Sequence, residues 1–431
     1  MSSARSPHPF LFTLLIIPFG AVSGFVSVVL AFLATKNGLT VEEGASLIAI
    51  GMIPHAWKFF WAPVADMTFS RKGWYVVANA LCAIGVFLLG AIPLGPENLR
   101  VLQVVIFVTN LASTFVGMAV EGLMAHSTAP EERGRVGGWF QAGNLGGSGI
   151  GGGLGLWLAT HYAPEWVSGI PAIGPALAAN LDAGRVSGGV LAVVFVLCGL
   201  ALFRIHDPGR EALTGTVFGA VKAIGIDLWG LARSRTPLLA ALMCFLPIGT
   251  GAAAGVLAQA EVAAAWGAGE NEVGMVNGVF SGIVAAVGCI VGGQLCGRFG
   301  SFRMYAVVGA VMAVVTGSMA ISPLTPTMFI AYGLVYAFVT GLAYAAFSGL
   351  VLEVIGAGAA ATKYNMFASL SNIPIGYMGL ALASAFSAWG ASGMLLTESG
   401  VGLAGIAVFV AIFAVFGPRR AGGEQEARQA G

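Results

Sequence analysis

The amino-acid sequence predicts an all-α integral membrane protein, with twelve transmembrane helices in two pseudo-symmetric six-helix bundles. Three observations indicate this fold class. The 431-residue chain is 57% hydrophobic and 9% charged, whereas soluble proteins carry about 25% charged residues. Apolar segments of about 20 residues, long enough to cross a bilayer as helices, recur along the chain. Lys and Arg also collect in alternate loops, as the positive-inside rule requires.

Twelve apolar segments fit the length of a transmembrane helix. Short loops join most of them, and longer connections follow the fifth and sixth segments, at 161–184 and 206–236. The second connection is amphipathic and lies at the midpoint of the chain, so it is predicted to link two six-span halves. The predicted spans are 10–34, 43–65, 74–93, 100–125, 136–160, 185–205, 237–260, 273–296, 302–322, 326–352, 364–389 and 398–417.

The distribution of basic residues orients these spans. If the N-terminus lies in the cytoplasm, the outside segments hold only Lys36, Arg100 and Arg185. Both termini are then cytoplasmic, and the short loops indicate a multi-pass protein of the bacterial inner membrane. The expected domains are an N-terminal bundle over 1–205, a cytoplasmic linker over 206–236, a C-terminal bundle over 237–418 and a cytoplasmic tail over 419–431.

The two halves repeat a loop pattern. The loop after the second span reads APVADMTFSRKG, and the loop after the eighth reads GGQLCGRFGSFR. Each joins a small-residue helix end to a tight basic turn, as expected of internal repeats. The second loop resembles G-x-x-x-D-R-x-G-R-R, the cytoplasmic motif of the major facilitator superfamily. Gly297 stands where that motif has its acid.

Within that superfamily, one group is similar in three short stretches. KFFWAPVAD (58–66) resembles the K-F-L-W-A-P-L-x-D signature of the AmpG-like muropeptide permeases and their acetyl-coenzyme A transporter relatives. PEERGR (130–135) and ATKYNMFASLSNIP (361–374) also resemble that group. The resemblance implies alternating access, with proton-coupled symport of a muropeptide-like or other anionic conjugate. No GxxxxGK[ST] loop occurs, so the proton gradient is the expected energy source and no cofactor is expected.

Charged residues in the repeated loops are candidates for a gating latch. Asp66 ends the second span, and Arg71 and Lys72 follow it in one tight turn. The resemblance implies that these charges pair in the outward-open form and separate in the other form. Arg298 and Arg303 are the bases of the matching loop in the second half. The alternative is that these bases only fix the orientation of the chain.

Two ionisable residues lie inside the second span. Lys58 carries a charge that should face protein or a water-filled cavity. It can attract an anionic substrate or pair with an acid on another span. The alternative is that its long side chain reaches the cytoplasmic interface. His55 lies one turn earlier and can titrate near neutral pH, so it is a candidate for the proton pathway.

Two intramembrane acids are candidates for proton coupling. Glu121 and Glu353 are assigned to corresponding positions near the inner ends of spans four and ten. Such residues are expensive in a membrane and often form proton relays. The alternative is structural pairing with Arg133, Arg135 or Lys363.

Span five contains a glycine-rich run, GNLGGSGIGGGLG. Gly143, Gly147, Gly151 and Gly152 match the superfamily's antiporter motif, but Ser148 replaces its proline, so antiport is not indicated. Glycines four residues apart allow two helices to approach closely. The run therefore predicts helix packing.

Polar and kinked positions complete the predicted pathway. Amides inside spans either hydrogen-bond across helices or line the substrate path, and the candidates are Asn110, Gln141 and Asn144. Prolines inside spans, such as Pro247, should kink their helices.

Other function classes are less consistent with the sequence. The five Cys form no CxxC pair, so no metal site is expected. No basic patch indicates nucleic acid. A monomer in lipid that takes a small-molecule substrate is expected. The alternatives are a siderophore importer of the same superfamily, a channel, or an integral-membrane enzyme, although no HExxH or nucleophile motif occurs. Counterflow across a vesicle membrane would distinguish a carrier from a channel or an enzyme.

Overall fold

The computed structural model describes residues 7–416 except 31–32, 34–36, 38, 40, 170, 172, 208–216 and 357–358. The described residues contain helices and turns but no strand. Nine helices in this part of the chain are long and apolar enough to cross a membrane. The chain is therefore a multi-pass membrane protein, as predicted. Six basic residues of loops and termini (Arg5, Lys36, Arg210, Arg419, Arg420 and Arg428) lie outside the described residues.

The helices of the first half are consistent with six membrane-spanning segments, five of which are long and apolar enough by themselves. Spans one and five each include a short π-helical stretch, at Phe25–Leu30 and Ile150–Leu154. In chain order, the bounds of spans one to six are Phe10–Gly24 with Phe25–Leu30, Val41–Met67, Arg71–Ala91, Leu99–Ser127, Arg133–Gly149 continued by Ile150–Leu154 and Gly155–His161, and Ala183–Gly199.

The second half follows an amphipathic linker helix, Val217–Arg233. Spans eleven and twelve form one helical run, Ala360–Phe416, which is interrupted at Gly390 by a φ of 67°. The bounds of spans seven to ten are Arg235–Phe245 with Ala253–Leu257, Glu270–Asn277 with Val279–Phe299, Ser301–Ala320, and Pro326–Ile355. These helices are consistent with twelve spans.

Span seven is broken in its middle. The helix Arg235–Phe245 stops before Pro247, and the next helical turn begins at Ala253. Proline cannot donate a backbone hydrogen bond, and Gly249 and Gly251 adopt φ values of 58° and 71°. Such left-handed backbone favours glycine. The predicted kink at Pro247 is therefore a full interruption of the helix.

Polar caps fix where several spans begin. Ser70 accepts a hydrogen bond from the Gly73 amide at the start of span three, at 3.0 Å. Asp182 and Thr325 accept equivalent bonds at the starts of spans six and ten. Each cap satisfies an amide that would otherwise lack a partner. Spans three, five, nine and eleven begin at one end of the bundle, and Arg71, Arg133 and Arg303 lie in the first turns of three of them. We call this the basic end.

Glycines bring spans one and five into close contact. Gly143, Gly147 and Gly151 lie against the backbone of Thr13, Ile17 and Ala21, in that order. Gly152 lies against Val28 near the end of the same contact. The spacing of four residues repeats on both helices, so the glycines form a continuous surface without side chains. This is the packing geometry that small residues allow in membranes.

Gly147→Ala is expected to destabilise the protein. Its new methyl carbon would lie 2.6 Å from the Ile17 carbonyl oxygen, and such overpacking costs about 1–3 kcal/mol. Gly146→Ala is the matched control on the same helix, because its methyl carbon would meet Ala286 at 3.4 Å. Thermal unfolding in detergent should show a lower midpoint for Gly147→Ala only. Equal midpoints for the two variants would contradict this packing account.

Candidate functional site

A cavity of about 200 Å³ lies between the two halves. Spans one, two, four and five line it from the first half, and spans seven, nine, ten and eleven from the second. Its wall is mainly aromatic and polar, and it includes five residues singled out in the sequence. These five are His55, Lys58, Glu121, Gln141 and Asn144.

Lys58 and Glu121 place opposite charges on the wall of this cavity. Both line it, and they are close enough for electrostatic attraction. Glu121 is buried, whereas Lys58 is half-buried. Lys58 makes no hydrogen bond or ion pair with any described residue. Its position therefore matches a cavity cation rather than a side chain that reaches the membrane surface.

The carboxylate of Glu121 joins the two halves. Its Oε2 accepts a hydrogen bond of 2.6 Å from the side-chain amide of Asn365 on span eleven. Asn365 is itself buried. Lys363, a predicted alternative partner, instead forms an ion pair of 3.0 Å with Asp227 of the linker helix. The structure therefore gives Glu121 an amide partner across the interface between the halves.

His55 is held in place from behind the cavity. Its Nε2 lies 3.1 Å from the side-chain oxygen of Asn110 on span four. The ring of Phe19 packs edge-on at 5.2 Å. Asn110 is buried and donates to the Ile106 carbonyl, so it orients His55 and does not itself line the cavity.

The beginning of span eleven makes four contacts in consecutive residues. The amide and hydroxyl of Thr362 donate to Asp66, at 2.8 and 2.7 Å. Lys363 pairs with the linker, and the ring of Tyr364 packs edge-on against Phe140 of span five at 6.1 Å. Asn365 binds Glu121. Three of these four residues therefore connect the two halves directly. They lie in ATKYN, one of the stretches on which the family resemblance rested.

The predicted latch residues are divided between several partners. Asp66 binds span eleven of the other half, as described above. Arg71 forms an ion pair of 2.7 Å with Asp207, and both side chains are 9% exposed. Lys72 is half-buried, and Arg298 and Arg303 are exposed. Asp66 therefore contributes a contact between the two halves. Arg71 binds Asp207 and so anchors the segment that follows span six.

Glu353 does not line the cavity. It is exposed and accepts hydrogen bonds from Ser301, at 2.6 Å from the hydroxyl and 3.3 Å from the amide. It thus caps the start of span nine. Its helix ends at Ile355, whereas the helix of Glu121 continues to Ser127. Glu121 therefore lies about one helical turn farther from the end of its helix than Glu353 does.

The two halves are closed against each other at the basic end. Gly137 lies against Gly349, and a methyl group on Gly138 would meet the backbone of Gly293. A second cavity of about 670 Å³ lies toward the opposite end. The two cavities are about one helical turn apart on span ten, because Thr340 lines one and Ala343 the other.

Sequence reasoning missed one buried acid, Glu398. It is 5% exposed and lies on span twelve. It accepts hydrogen bonds from Tyr336 and from the Ala253 amide. The sequence signal was present, because Glu398 is an acid within an apolar segment. Within the described residues, no group of three or more His, Cys, Asp or Glu side chains could hold a metal ion.

Helices consistent with two six-span halves surround a shared cavity, an arrangement that is found in secondary transporters. The sequence model of the Major Facilitator Superfamily matches residues 11–375. The chain therefore belongs to this superfamily of transporters. A search of curated proteins finds no match to the sequence.

Solved structures with low sequence identity share the fold. FucP, the E. coli fucose:proton symporter, in its outward conformation has a TM-score of 0.68 at 17% identity, covering 94% of this chain and 98% of that chain. The human organic anion transporter MFSD10 has a TM-score of 0.65 at 14% identity, covering 93% and 98%. The proton:xylose symporter XylE has a TM-score of 0.62 at 13% identity, covering 95% and 96%.

Proposed function

We propose that this transporter couples the entry of a proton to the transport of an anionic organic solute. The observation that carries the proposal is the position of Glu121. Its carboxylate lies on the cavity wall, near a cation, and is bound by Asn365 of the other half. Intramembrane acids in such positions commonly serve as proton relays. Two of the similar structures are named as proton symporters, which supports the same reading.

The charges of the cavity explain why a proton and an anion would bind together. With Glu121 ionised, its charge balances that of Lys58, and an anion gains little from entering. A proton on Glu121 removes the negative charge and leaves Lys58 available to an anionic substrate. In a low-dielectric cavity such charge balance has a large effect on binding. Substrate binding and protonation therefore favour each other.

Protonation of Glu121 would also weaken the contacts that close the basic end. An ionised carboxylate is a stronger hydrogen-bond acceptor than a neutral acid. Protonation of Glu121 therefore weakens its bond to Asn365, one of the contacts at the beginning of span eleven. The bonds from Thr362 to Asp66 would form the remaining latch. Release of both contacts would open the basic end, as alternating access requires.

The cavity lining indicates the class of solute. Aromatic side chains, including Phe140, Tyr305 and Phe347, can pack against rings or acyl groups, while Gln141 and Asn372 can bind polar groups. At about 200 Å³, the cavity is smaller than the roughly 300–1,000 Å³ of typical ligand sites. A muropeptide-like conjugate would also occupy the larger cavity. We propose that the basic end faces the cytoplasm of a bacterial inner membrane, so this conformation is outward-facing.

Substrate-induced proton uptake into proteoliposomes, measured with an internal pH dye, tests the proposal. The panel contains anhydro-muropeptides, ferric siderophores and acyl-coenzyme A. Acidification with one anionic ligand is expected, and Lys58→Ala should abolish it because the cavity then lacks its cation. Lys222→Ala is the matched control, because Lys222 is exposed on the linker helix and does not line the cavity. Counterflow without any pH change would contradict proton coupling but leave a carrier.

A further inference from the structure

A second buried acid lies outside the central cavity, on span twelve. Oε1 of Glu398 accepts a hydrogen bond of 2.8 Å from the Tyr336 hydroxyl and one of 3.4 Å from the Ala253 amide. Its other oxygen, Oε2, is buried and has no hydrogen-bond partner among the described residues. A buried carboxylate oxygen without a partner is costly when the group is charged, so the site suits an acid that can take up a proton.

Within the part of the chain that the structure describes, the surroundings of Glu398 provide no counter-charge. Span ten faces it with Tyr336, its one titratable neighbour among the described residues, and span seven faces it with a backbone amide. Span nine packs beside it, where the Ser399 hydroxyl donates to the Ala313 carbonyl at 2.7 Å. In the described part of the chain, Glu398 forms no ion pair. A proton is therefore the available means of neutralising it.

Tyr336 connects this acid to the larger cavity. Tyr336 lines the cavity of about 670 Å³, and its hydroxyl also accepts a hydrogen bond of 3.1 Å from the Ala253 amide. The Tyr336 hydroxyl can donate its proton to Oε1 and take another from hydronium in the cavity. The hydroxyl is then restored, and the carboxylate has become a neutral acid.

Because of the position of Ala253, protonation of Glu398 would affect the conformation of span seven. Ala253 begins the helical turn that follows the break in span seven. Ile248, Gly249 and Thr250 of the broken stretch line the central cavity, and Ala254 lines the larger one. Glu398 and Tyr336 therefore hold the outer piece of span seven at its first amide, between the two cavities.

We propose that Glu398 is a second proton-binding site, filled from the larger cavity through Tyr336, and that its protonation releases the outer piece of span seven. The ionised carboxylate holds Ala253 and Tyr336 by charge-assisted hydrogen bonds, which weaken when the acid is neutral. The site goes beyond the proposed function, because it involves neither Glu121 nor the substrate.

Infrared difference spectroscopy of the full-length protein in lipid, recorded across a pH titration, tests the protonation. A carbonyl band of a protonated carboxyl group should appear on acidification and be lost in Glu398→Gln. Tyr336→Phe should keep the band and shift its titration midpoint. Glu121→Gln should leave this band in place, which separates the site from the proposed function. Glu261→Gln removes an exposed acid and is the matched control. An unchanged spectrum in both Glu398→Gln and Tyr336→Phe would overturn the proposal.

Spin-label distances test the release of span seven without any substrate. Gly255→Cys has open space for a side chain, and Thr160→Cys is exposed on span five. The five native cysteines are buried, so the added thiols should react selectively. The distance should change with pH in the otherwise wild-type protein, change with a shifted midpoint in Tyr336→Phe, and stay constant in Glu398→Gln. A pH-independent distance, or the same change produced by Na⁺ at constant pH, would overturn the proposal.

Discussion

Glu121→Gln is expected to abolish substrate-induced proton uptake while substrate exchange remains measurable. The amide cannot take up a proton, and it is neutral at every pH, like the protonated acid. Lys58 is then permanently available to an anion. Coupling between two binding events usually amounts to about 5–150-fold in affinity. Wild-type affinity for an anionic substrate should rise by that factor as the pH falls, whereas the affinity of the variant should be high and independent of pH.

Two measurements on reconstituted protein separate the possible outcomes for Glu121. Counterflow of a labelled substrate reports exchange, and an internal pH dye reports proton movement. Glu353→Gln is the matched control, because Glu353 is an exposed acid that caps span nine through Ser301. It should leave coupling intact. Normal proton uptake in Glu121→Gln, or its loss in Glu353→Gln only, would contradict the role assigned to Glu121.

Gly138→Ala is expected to open the basic end. A methyl group at this position would lie 2.5 Å from both the Cys289 carbonyl oxygen and the Gly293 α-carbon. Overpacking of this kind costs about 1–3 kcal/mol. The substitution destabilises the closed conformation only, because this contact joins the two halves and is lost when they separate. The equilibrium should therefore shift toward the open conformation by roughly 5–150-fold.

Spin labels across the basic end would measure this opening. Glu131→Cys is exposed in the first half, and Gly297→Cys has open space in the second. Gly138→Ala should lengthen the distance between these labels. Gly146→Ala is the control on the same helix, because its methyl group would make an ordinary contact with Ala286 at 3.4 Å. If the distance remains that of the wild type in both variants, the close approach of Gly138 does not control closure.

Much of the candidate site was predictable from residue chemistry. Lys58, Glu121 and Gln141 are polar groups inside apolar spans, and such groups must face protein or a cavity. All three line the central cavity. The glycine spacing in span five likewise indicated a close helix contact, although the sequence did not show that span one is the partner.

The partners of the charged residues were less predictable. Asp66 and Arg71 lie in one short turn, so the sequence suggested that they pair with each other and with neighbouring helix ends. In the structure Asp66 binds Thr362 at the start of span eleven, and Arg71 binds Asp207. Both partners are distant in the sequence and are brought close by the packing of other spans. Glu398 is visible in the sequence as an acid within an apolar segment, but the sequence does not show that its hydrogen bonds to Tyr336 and Ala253 connect three separate spans.

The sequence by itself determined that the chain crosses the membrane many times in two similar halves, because apolar length and charge are local properties. It also determined which polar groups must avoid lipid. Only the tertiary structure decided which hydrogen-bond partner each of these polar groups contacts. That choice depends on the rotation and depth of neighbouring helices, which place Asn365 beside Glu121 and the Ala253 amide beside Glu398.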